Sequence, residues 1–268
     1  MAVLAIAFLY HENFNLTTTY YAIRDGRIPD AFGGFTIVHL SDLHNTGFGV
    51  DQRDLLRKID EADPDIIVIT GDLIDSYVTN VAVAMRLVEG AIEIAPVYYV
   101  GGNHESRLED PHTFFDELEA VGVTVLHDRS IALTRGNSSI DLLGLSEADL
   151  GLAYEGTSDL RETLRRLTEK TTSFTILLSH HPEWLNVIAD TPIDLVFSGH
   201  AHGGQVRIPF LMKGLIAPDQ GLFPKYTSGM YRDRNTTEIV SRGLGNSILP
   251  FRVFNRPEIV VVTLNPTK

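Results

Sequence analysis

The chain has 268 residues, of which 44% are hydrophobic and 21% are charged, so it is long enough to bury a sizeable core in one large domain. Its formal net charge of −13 at pH 7 argues against nucleic-acid binding through a general basic surface. The absence of cysteine excludes disulfide bonds and thiolate metal sites but leaves the cellular compartment open.

The N-terminal segment, residues 1–29, begins with the apolar run Met1–Tyr10. This run is far shorter than the ~20 residues that a membrane-spanning helix needs, and it lacks the basic start and the cleavage site of a signal peptide. Two interpretations stay open: a first strand or helix packed into the core, or the end of a membrane anchor or signal. Residues Leu16–Ile23 then show the pattern of an edge strand.

Three apolar runs rich in β-branched residues predict buried strands over Phe35–Leu40, Ile66–Thr70 and Val97–Val100. Helical periodicity between them predicts helices over Asp51–Ala62, with its first residue as the N-cap, and over Asn80–Ala91. Strands and helices that alternate at this spacing indicate βαβ units on a parallel sheet. Each of the three strands is followed directly by polar residues of ligand type.

The rest of the chain is expected to be richer in antiparallel strands, because three further runs lie too close together for helical crossovers. We therefore predict an α/β (α+β) fold, in which two mixed β-sheets pack face to face with helices outside. This four-layer αββα sandwich would be a single domain of residues 30–268. The further predicted elements are helices over Phe114–Ala120 and Asp159–Lys170 and strands over Val123–Leu126, Ile131–Thr134, Ile140–Leu145, Phe174–Ser179, Leu195–Ser198, Val206–Ile208, Lys225–Met230, Glu238–Ser241 and Ile259–Leu264.

Side chains with oxygen or nitrogen ligand atoms follow the predicted strands. The carboxyl ends of parallel strands meet at one edge of a sheet, where α/β proteins bind ligands, so we expect these side chains to converge. Seven ligands are too many for one divalent ion but suit two ions that share a bridging carboxylate. The seven are Asp42, His44, Asp72, Asn103, His180, His200 and His202.

Mixed histidine and carboxylate ligation favours zinc, iron or manganese over calcium or magnesium. Two such ions ~3.5–4 Å apart can clamp an in-line displacement at phosphorus and lower the pKa of a bound water towards ~7. Bound cations would also reverse the field of an acidic protein that otherwise repels phosphorylated substrates. The ligand set therefore indicates two divalent metal ions as cofactors.

The ordered motifs resemble those of the calcineurin-like metallophosphoesterases. The C-terminal part resembles a bacterial, often membrane-associated subgroup that is similar to cell-envelope phosphodiesterases. The family motifs are Asp42-x-His44, Gly71-Asp72, Gly102-Asn103-His104-Glu105, His180 and Gly199-His200-x-His202, and the subgroup motifs are Gly203–Pro209, Gly243-Leu244-Gly245 and Asn255–Ile259.

The resemblance assigns each ligand to one of the two metal ions. Asp42, His44 and His202 would hold the first ion, and Asp72 would bridge the two ions.

Asn103, His180 and His200 would hold the second metal ion. In the adjacent pair His180 and His181, the family pattern places the ligand first, which leaves His181 to line the substrate pocket.

The resemblance also implies the catalytic groups. His104 would lie near the leaving-group oxygen, where it donates a proton or stabilises charge on the phosphoryl group, and Glu105 would orient His104. The nucleophile would be a hydroxide that bridges the metal ions. The expected activity is hydrolysis of phosphodiester, phosphomonoester or pyrophosphate bonds in a small or lipid-linked substrate.

Two other functions are compatible with the same fold: a binding scaffold without catalysis, and a protein phosphatase of the same superfamily. The complete ligand set argues against the scaffold, and the C-terminal resemblance does not support the phosphatase. The apolar N-terminus and the subgroup favour a membrane-associated or cell-envelope location over a cytoplasmic one. The sequence does not specify the oligomeric state.

Several residues outside the motifs have a structural and a functional interpretation. His39, in the middle of a strand, is expected to be a hydrogen-bonded core histidine. Arg252 and Arg256 are candidates for phosphate contact, although a structural ion pair is favoured. An apolar wall beside the metal ions, for which ordinary core packing is the favoured alternative, would comprise Pro209, Phe210, Leu211, Met212, Phe223 and Tyr226.

Overall fold

The computed structural model describes residues 2–147, 157–208, 213–247 and 249–267. Its first sheet contains six strands. They are β1 (Thr17–Asp25), β2 (Phe35–Leu40), β3 (Ile66–Thr70), β4 (Val97–Val100), β5 (Thr124–Val125) and β16 (Glu258–Pro266). The order across the sheet is β1-β16-β2-β3-β4-β5.

The parallel part of the first sheet confirms the predicted βαβ units. Strands β2, β3, β4 and β5 are parallel neighbours, and β1 lies at the edge, parallel to β16. The prediction of an antiparallel strand over Val123–Leu126 was wrong. That run supplies β5, which joins this sheet in parallel after the intervening helix α5 (Pro111–Ala120) crosses over.

The second sheet also contains six strands, in the order β14-β15-β9-β8-β7-β6. They are β6 (Arg129–Arg135), β7 (Ser138–Gly144), β8 (Thr175–Leu178), β9 (Leu195–Ser198), β14 (Gly229–Asp233) and β15 (Thr236–Val240).

The centre of the second sheet is parallel, because β7, β8, β9 and β15 pair in parallel, while a hairpin forms each edge. The expectation of mostly antiparallel strands in this half was therefore wrong. Two helices, α6 (Thr157–Thr168) and α7 (Leu185–Ile188), supply the crossovers, and α7 is too short to be visible as a periodic pattern.

Short strands and the remaining helices complete the described part of the chain. The predicted strand over Lys225–Met230 begins only at Gly229, and α2 begins at Arg53, so that Asp51 does not cap it but lies in the preceding turn. The remaining elements are α1 (Ala2–Phe14), α2 (Arg53–Asp60), α3 (Val81–Ile92), α4 (Asn103–Ser106), β10 (Arg207–Ile208), β11 (Lys213–Gly214), β12 (Ile216–Ala217) and β13 (Gly221–Leu222).

Alternation along each strand separates the apolar side chains into layers. Along β2, Ile37 faces the second sheet, in the same buried cluster as Ile176 and Phe197. Its neighbour Val38 packs on the other face, in the cluster that contains residues of α2, α3 and α5. A third cluster joins the outer face of the second sheet to α6 and α7. The order helices, sheet, sheet, helices confirms the four-layer αββα sandwich.

Helix α1 projects apolar side chains into solvent. Val3, Leu4 and Ile6 are 78%, 72% and 67% exposed, whereas Glu12 and Asn13 near its end are buried. The interpretation of Met1–Tyr10 as a segment packed into the core was therefore wrong. Among the described residues, no helix has both the length and the apolar character needed to cross a bilayer, and the anchor interpretation stays a prediction.

His39 is fully buried between the two sheets, as its position in β2 predicted. Its Nε2 lies 2.8 Å from Thr70 Oγ1, and its ring meets the edge of Phe197 with the centroids 5.0 Å apart. Burial lowers the pKa of His39 to about 3. The folded protein therefore holds this ring neutral at a pH where the unfolded chain, with a histidine pKa of about 6.5, protonates it.

The pKa of His39 makes a testable contribution to acid sensitivity. Because the pKa is depressed in the folded state, the stabilisation from neutral His39 is fully present above pH ~6.5 and is lost as the pH falls towards 3. His39→Gln keeps a partner for Thr70 but cannot titrate. We expect the difference in unfolding free energy, wild type minus variant, to fall by up to ~1.4 kcal/mol per pH unit between pH 6 and 4.

Urea denaturation at several pH values, with chelator present, measures this difference, and the exposed His112→Gln is the matched control. A difference that does not change with pH would show that His39 is not held neutral.

Candidate metal centre

The structure brings all seven predicted ligands to one edge of the sandwich. Asp42 and His44 follow β2, Asp72 follows β3, and Asn103 begins α4 directly after β4. From the second sheet, His180 follows β8, and the pair at 200 and 202 follows β9. Since these strands are parallel within each sheet, their carboxyl ends lie together. The residues that follow the apolar runs of the sequence therefore meet at one site.

The backbone is strained where the ligands leave the strands. Five of the seven have a positive φ, a region that residues other than glycine rarely adopt and that clusters at functional sites. The sharp turns let short segments present two ligands each to the same point. The five are Asp42 (φ 53°), His44 (φ 44°), Asp72 (φ 54°), His200 (φ 63°) and His202 (φ 47°).

The first cluster contains Asp42, His44, Asp72 and His202, with one ligand atom of each lying within 4.8 Å of the others. His44 Nε2 is 3.4 Å from Asp72 Oδ2, and His202 Nε2 is 3.6 Å from Asp42 Oδ1. All four side chains are buried.

The second cluster contains Asp72, His180 and His200. His180 Nε2 lies 3.2 Å from Asp72 Oδ2 and 3.1 Å from both His200 Nδ1 and Asn103 Oδ1. The same oxygen of Asp72 therefore faces both clusters, while its Oδ1 accepts a hydrogen bond from the backbone N–H of His104 at 2.9 Å. A carboxylate oxygen placed between two ligand groups is the arrangement that a bridging ligand requires.

The donor atoms fit two divalent cations. Within the described residues, both ring nitrogens of His44 and Nδ1 of His202 are buried without a hydrogen-bond partner. A buried polar atom that lacks a partner costs ~1–3 kcal/mol, and a metal ion supplies that partner.

The charges around the two clusters also suit cation binding. Burial opposes the charged form of Asp72, but His180 and His44 outweigh it and hold the pKa of this carboxyl well below its usual value. Burial likewise opposes protonation of His44, but Asp72 and Asp75 raise the pKa of His44 to about 9. A cation that binds His44 therefore displaces a proton.

Asn103 has two chemically distinct amide orientations. With its nitrogen turned inward it would donate to His180 and His200, and its oxygen would accept from Arg107 at 2.9 Å. With its oxygen turned inward, Asn103 Oδ1 lies 3.1 Å from His180 Nε2, where it can accept a hydrogen bond from a protonated His180 ring or coordinate a cation. The orientation of this amide therefore depends on whether a proton or a cation occupies this point.

His200 is oriented by a carboxylate that sequence reasoning missed. Asp219 Oδ2 lies 2.7 Å from His200 Nε2, so that Nδ1 is the nitrogen left to face the second cluster. This hydrogen bond lowers the pKa of Asp219 to about 2. Asp219 lies in the turn of the hairpin that β12 and β13 form, and none of the sequence motifs includes it.

His104 stands beside the first cluster, with its ring at 90° to that of His44 and the centroids 4.5 Å apart. The backbone N–H of Ser76 donates to His104 Nδ1 at 3.0 Å, so the neutral ring carries its proton on Nε2. Burial lowers the pKa of His104, and Asp72 offsets this only in part. The side chain is thus a neutral hydrogen-bond donor at the edge of the site.

Glu105 is fully buried and holds the backbone of two ligand loops. Its carboxylate accepts hydrogen bonds from the N–H groups of Asp72 at 2.8 Å, Gly102 at 2.8 Å and Ile74 at 3.1 Å. These bonds fix the turn that presents the shared carboxylate. Glu105 was expected to orient His104, but the hydrogen bond to His104 Nδ1 comes from the backbone N–H of Ser76.

The cavity above the two clusters has a volume of about 260 Å³. Ligands, His104 and residues from four loops line it, and Arg107 is the one cationic side chain among them, apart from the histidines. The lining residues are Asp72, Tyr77, Asn103, His104, Arg107, His200, His202, Pro218, Asp219 and Ser247.

His181 does not line this cavity, which corrects the expectation for it. Its Nδ1 lies 2.6 Å from Glu183 Oε1, and its Nε2 pairs with Glu147. Burial opposes protonation, but these carboxylates raise the pKa of His181 to about 9. The ring packs against that of His200, with the centroids 4.1 Å apart, so His181 supports a predicted ligand from behind.

The other candidates for substrate contact are mostly structural. Arg252 is 1% exposed and donates to the backbone carbonyls of Arg242 and Gly245, so it is structural, although its partners are carbonyls and not the expected acidic side chain. Tyr226 packs against Tyr231, as core packing predicted. Phe223 is 65% exposed, and the run 209–212 lies outside the described residues.

Comparisons with known proteins agree with this geometry. The sequence profile described as "Calcineurin-like phosphoesterase" matches residues 35–204, well over half of the chain. The chain belongs to the calcineurin-like phosphoesterase family. It is therefore a metal-dependent phosphoric ester hydrolase, and its clusters of His and Asp residues are groups that could hold metal ions.

Individual relatives agree with this assignment. The chain is 35% identical to the uncharacterized metallophosphoesterase YkuE of Bacillus subtilis, over 96% of this chain and 88% of the relative. It is 28% identical to the phosphodiesterase YaeI of Escherichia coli, over 86% and 82% of the two chains. The solved structure of TT1561 from Thermus thermophilus shares the fold, with a TM-score of 0.53, 15% identity, and coverage of 79% of this chain and 90% of that one.

Proposed function

We propose that the protein is a dinuclear phosphoesterase that prefers phosphodiesters of small or lipid-linked molecules. The observation that carries the proposal is the oxygen of Asp72, which lies 3.4 Å from His44 Nε2 and 3.2 Å from His180 Nε2. This oxygen lies between the two ligand clusters, below the cavity that they share. The complete ligand set argues against a binding scaffold without catalysis.

Each half of the site has its own set of ligands. Asp42, His44 and His202 would hold one metal ion, and Asp72 would be shared with the second.

Asn103, His180 and His200 would hold the second metal ion together with Asp72. When bound, two divalent cations supply Lewis acidity towards phosphoryl oxygens and a lowered pKa for bound water. Manganese, iron and zinc are the ions that these ligands favour.

A preference for diesters follows from the charges in the cavity. Arg107 is placed to pair with a phosphoryl oxygen through its planar donor fork. Asp219 lies across the same cavity and is ionised at neutral pH, since His200 lowers the pKa of Asp219 to about 2. A phosphodiester carries one negative charge at phosphorus and a monoester close to two, so the carboxylate disfavours the monoester. The relative named as a phosphodiesterase supports the same preference.

Hydrolysis by the reloaded protein tests this function. The protein is stripped of metal, reloaded with manganese, iron, zinc or magnesium, and assayed with bis(4-nitrophenyl) phosphate and 4-nitrophenyl phosphate. We expect turnover with at least one of the first three metals, and kcat/KM for the diester about tenfold or more above that for the monoester. Arg107→Ala should raise KM about tenfold through the lost charge-assisted hydrogen bond, and the exposed Arg232→Ala is its control.

Absence of metal-dependent turnover on either ester would contradict the proposed reaction, and a preference for the monoester would contradict the argument from Asp219.

His104 would stabilise negative charge on the reacting phosphoryl group or leaving oxygen through Nε2–H. A neutral imidazole is too weak an acid to surrender that proton fully, and Ser76 N–H occupies the position on Nδ1 where imidazolium would need its own proton. The role is therefore that of a hydrogen-bond donor that strengthens as charge develops. Of the two roles that the resemblance left open for His104, this geometry favours stabilisation of charge over donation of a proton.

Leaving-group dependence tests the role of His104. We expect His104→Ala to lower kcat by roughly 10²–10³, the cost of one donor to a developing anion, and to do so equally for 4-nitrophenyl and phenyl esters. His104→Asn, which retains an N–H donor, should recover part of the loss. A loss that is much larger for the poorer phenolate leaving group would instead place His104 at the leaving oxygen, as a donor of a proton or a hydrogen bond.

Helix α1 supports a location at a membrane surface. Residues 2–10 carry no charged side chain, and three of them are at least two-thirds exposed and aliphatic. The ring of Phe8 also packs against Phe254, which is 52% exposed. An apolar helix that lies on the surface of a protein can insert shallowly between lipid head groups, and a lipid-linked substrate would be presented there.

Vesicle binding tests this location. We expect the protein to sediment with phosphatidylcholine vesicles, and added anionic lipid to weaken binding because the net charge is −13. Leu4→Glu with Ile6→Glu should abolish sedimentation. The matched control is Val50→Glu with Met230→Glu, which replaces exposed apolar residues elsewhere. Equal binding by both double variants would exclude α1 as the contact.

A further inference from the structure

The segment that connects β15 to β16 lies directly behind the first cluster. Its Leu244 and Gly245 donate backbone hydrogen bonds to the carbonyls of Ser41 at 3.0 Å and Asp42 at 2.6 Å. Gly243, with φ 70°, packs so closely that an added Cβ would lie 2.7 Å from Asp42 Cβ. This segment therefore sets the position of the loop that carries the first two ligands.

Asn255, in the same segment, holds the other ligand loop of the first cluster. It is completely buried, and its Nδ2 donates to the carbonyls of His202 at 2.7 Å and Gln205 at 3.1 Å. A Cβ at Gly203 would collide with the Asn255 amide. The amide thus fixes the turn in which His202 adopts its positive φ of 47°.

Arg252 ties these two contacts together. Its guanidinium donates to the carbonyls of Arg242 at 2.9 Å, Gly245 at 3.2 Å and Asn255 at 3.3 Å. Burial lowers the pKa of Arg252 to about 10, so the group remains charged at neutral pH and needs all of these acceptors. Arg252 therefore links the loop behind Asp42 to the residue that holds His202.

Helix α1 contacts the outer side of this segment through two buried side chains. Glu12 Oε2 accepts a hydrogen bond from the backbone N–H of Asn255 at 2.9 Å. Asn13 Oδ1 accepts from the N–H of Arg252 at 2.9 Å and from Asn246 Nδ2 at 3.0 Å. Glu12 and Asn13 are 6% and 8% exposed on a helix whose first turns are otherwise in solvent.

We propose that Glu12, Arg252 and Asn255 form a clamp that positions Asp42 and His202, so that docking of α1 sets the affinity of the first metal position more strongly than that of the second. The second cluster has other supports: His180 Nδ1 pairs with Thr70 O at 2.7 Å, and Asp219 orients His200. The inference rests on the proposed dinuclear centre and adds that the N-terminal helix is part of it. The three residues are positioning residues, since none of them lines the cavity.

Metal titration of folded protein tests the clamp. Stepwise Co²⁺ binding is followed by absorption in wild type, Asn255→Ala and Glu12→Ala, with folding checked by circular dichroism. His202→Ala and His180→Ala provide the spectra of protein with one altered position each. We expect both clamp variants to weaken one site about 10–100-fold, the usual cost of losing support behind a ligand, and to leave the other within about twofold.

Three comparisons make the result specific. The spectrum of each clamp variant at one equivalent should match that of His202→Ala and differ from that of His180→Ala. Glu12→Gln, whose oxygen can still accept from Asn255 N–H, should restore wild-type affinity. Asp194→Ala is the matched control, because Asp194 is a buried carboxylate that accepts the Thr175 N–H at 2.8 Å at the opposite end of β9, and it should leave both affinities unchanged.

Equal weakening of both sites, or of neither, in folded Asn255→Ala and Glu12→Ala would overturn the clamp while leaving the dinuclear centre intact. If Asn255→Ala does not fold, Asn255→Ser keeps a shorter donor and Glu12→Ala carries the same prediction. Wild-type protein that binds fewer than two ions would overturn the proposed function and the clamp together.

Discussion

The structure depends on the balance of charge around one carboxylate. Asp72 is buried between imidazoles of both sheets, with Oδ2 lying 3.4 Å from His44 Nε2 and 3.2 Å from His180 Nε2. These rings hold the pKa of Asp72 well below its usual value. Two metal ions at the proposed centre would supply positive charge to the same carboxylate and a partner to the buried ring nitrogens that lack one. The requirement for positive charge at this point explains why the ligand loops accept strained backbone angles and why two sheets converge on one edge.

The same requirement reconciles the acidity of the chain with its chemistry. A net charge of −13 repels phosphorylated molecules at long range, and Arg107 is the one permanently cationic side chain among the described residues that line the cavity. Local cations must therefore supply the attraction. Asp219 lines the same cavity, and the preference for diesters proposed above would follow from its negative charge beside such cations.

The sequence predicted the elements whose pattern is local and missed those that depend on tertiary contact. Strands β2, β3, β4 and β9 appear as apolar runs, so the ligands that follow them could be located. The supports behind the site histidines could not be predicted, because Asp219 in a hairpin turn and Ser76 in a loop meet His200 and His104 only through the tertiary fold. The crossover α7 has only four residues, which hides the parallel order of the second sheet. Apolar composition alone could not distinguish a core helix from the exposed α1, since both satisfy the same pattern.

Three buried side chains share the task of holding the ligand loops, and each does so through the backbone. Glu105 accepts the N–H of Asp72 at 2.8 Å, Asp42 accepts the N–H of His200 at 3.0 Å, and Asn255 donates to the carbonyl of His202 at 2.7 Å. Hydrogen bonds to the main chain fix the strained turns without occupying the ring nitrogens of the histidines that would bind metal. These main-chain hydrogen bonds of the folded sandwich therefore support the ligand positions, and such support would lower the conformational cost of binding an ion.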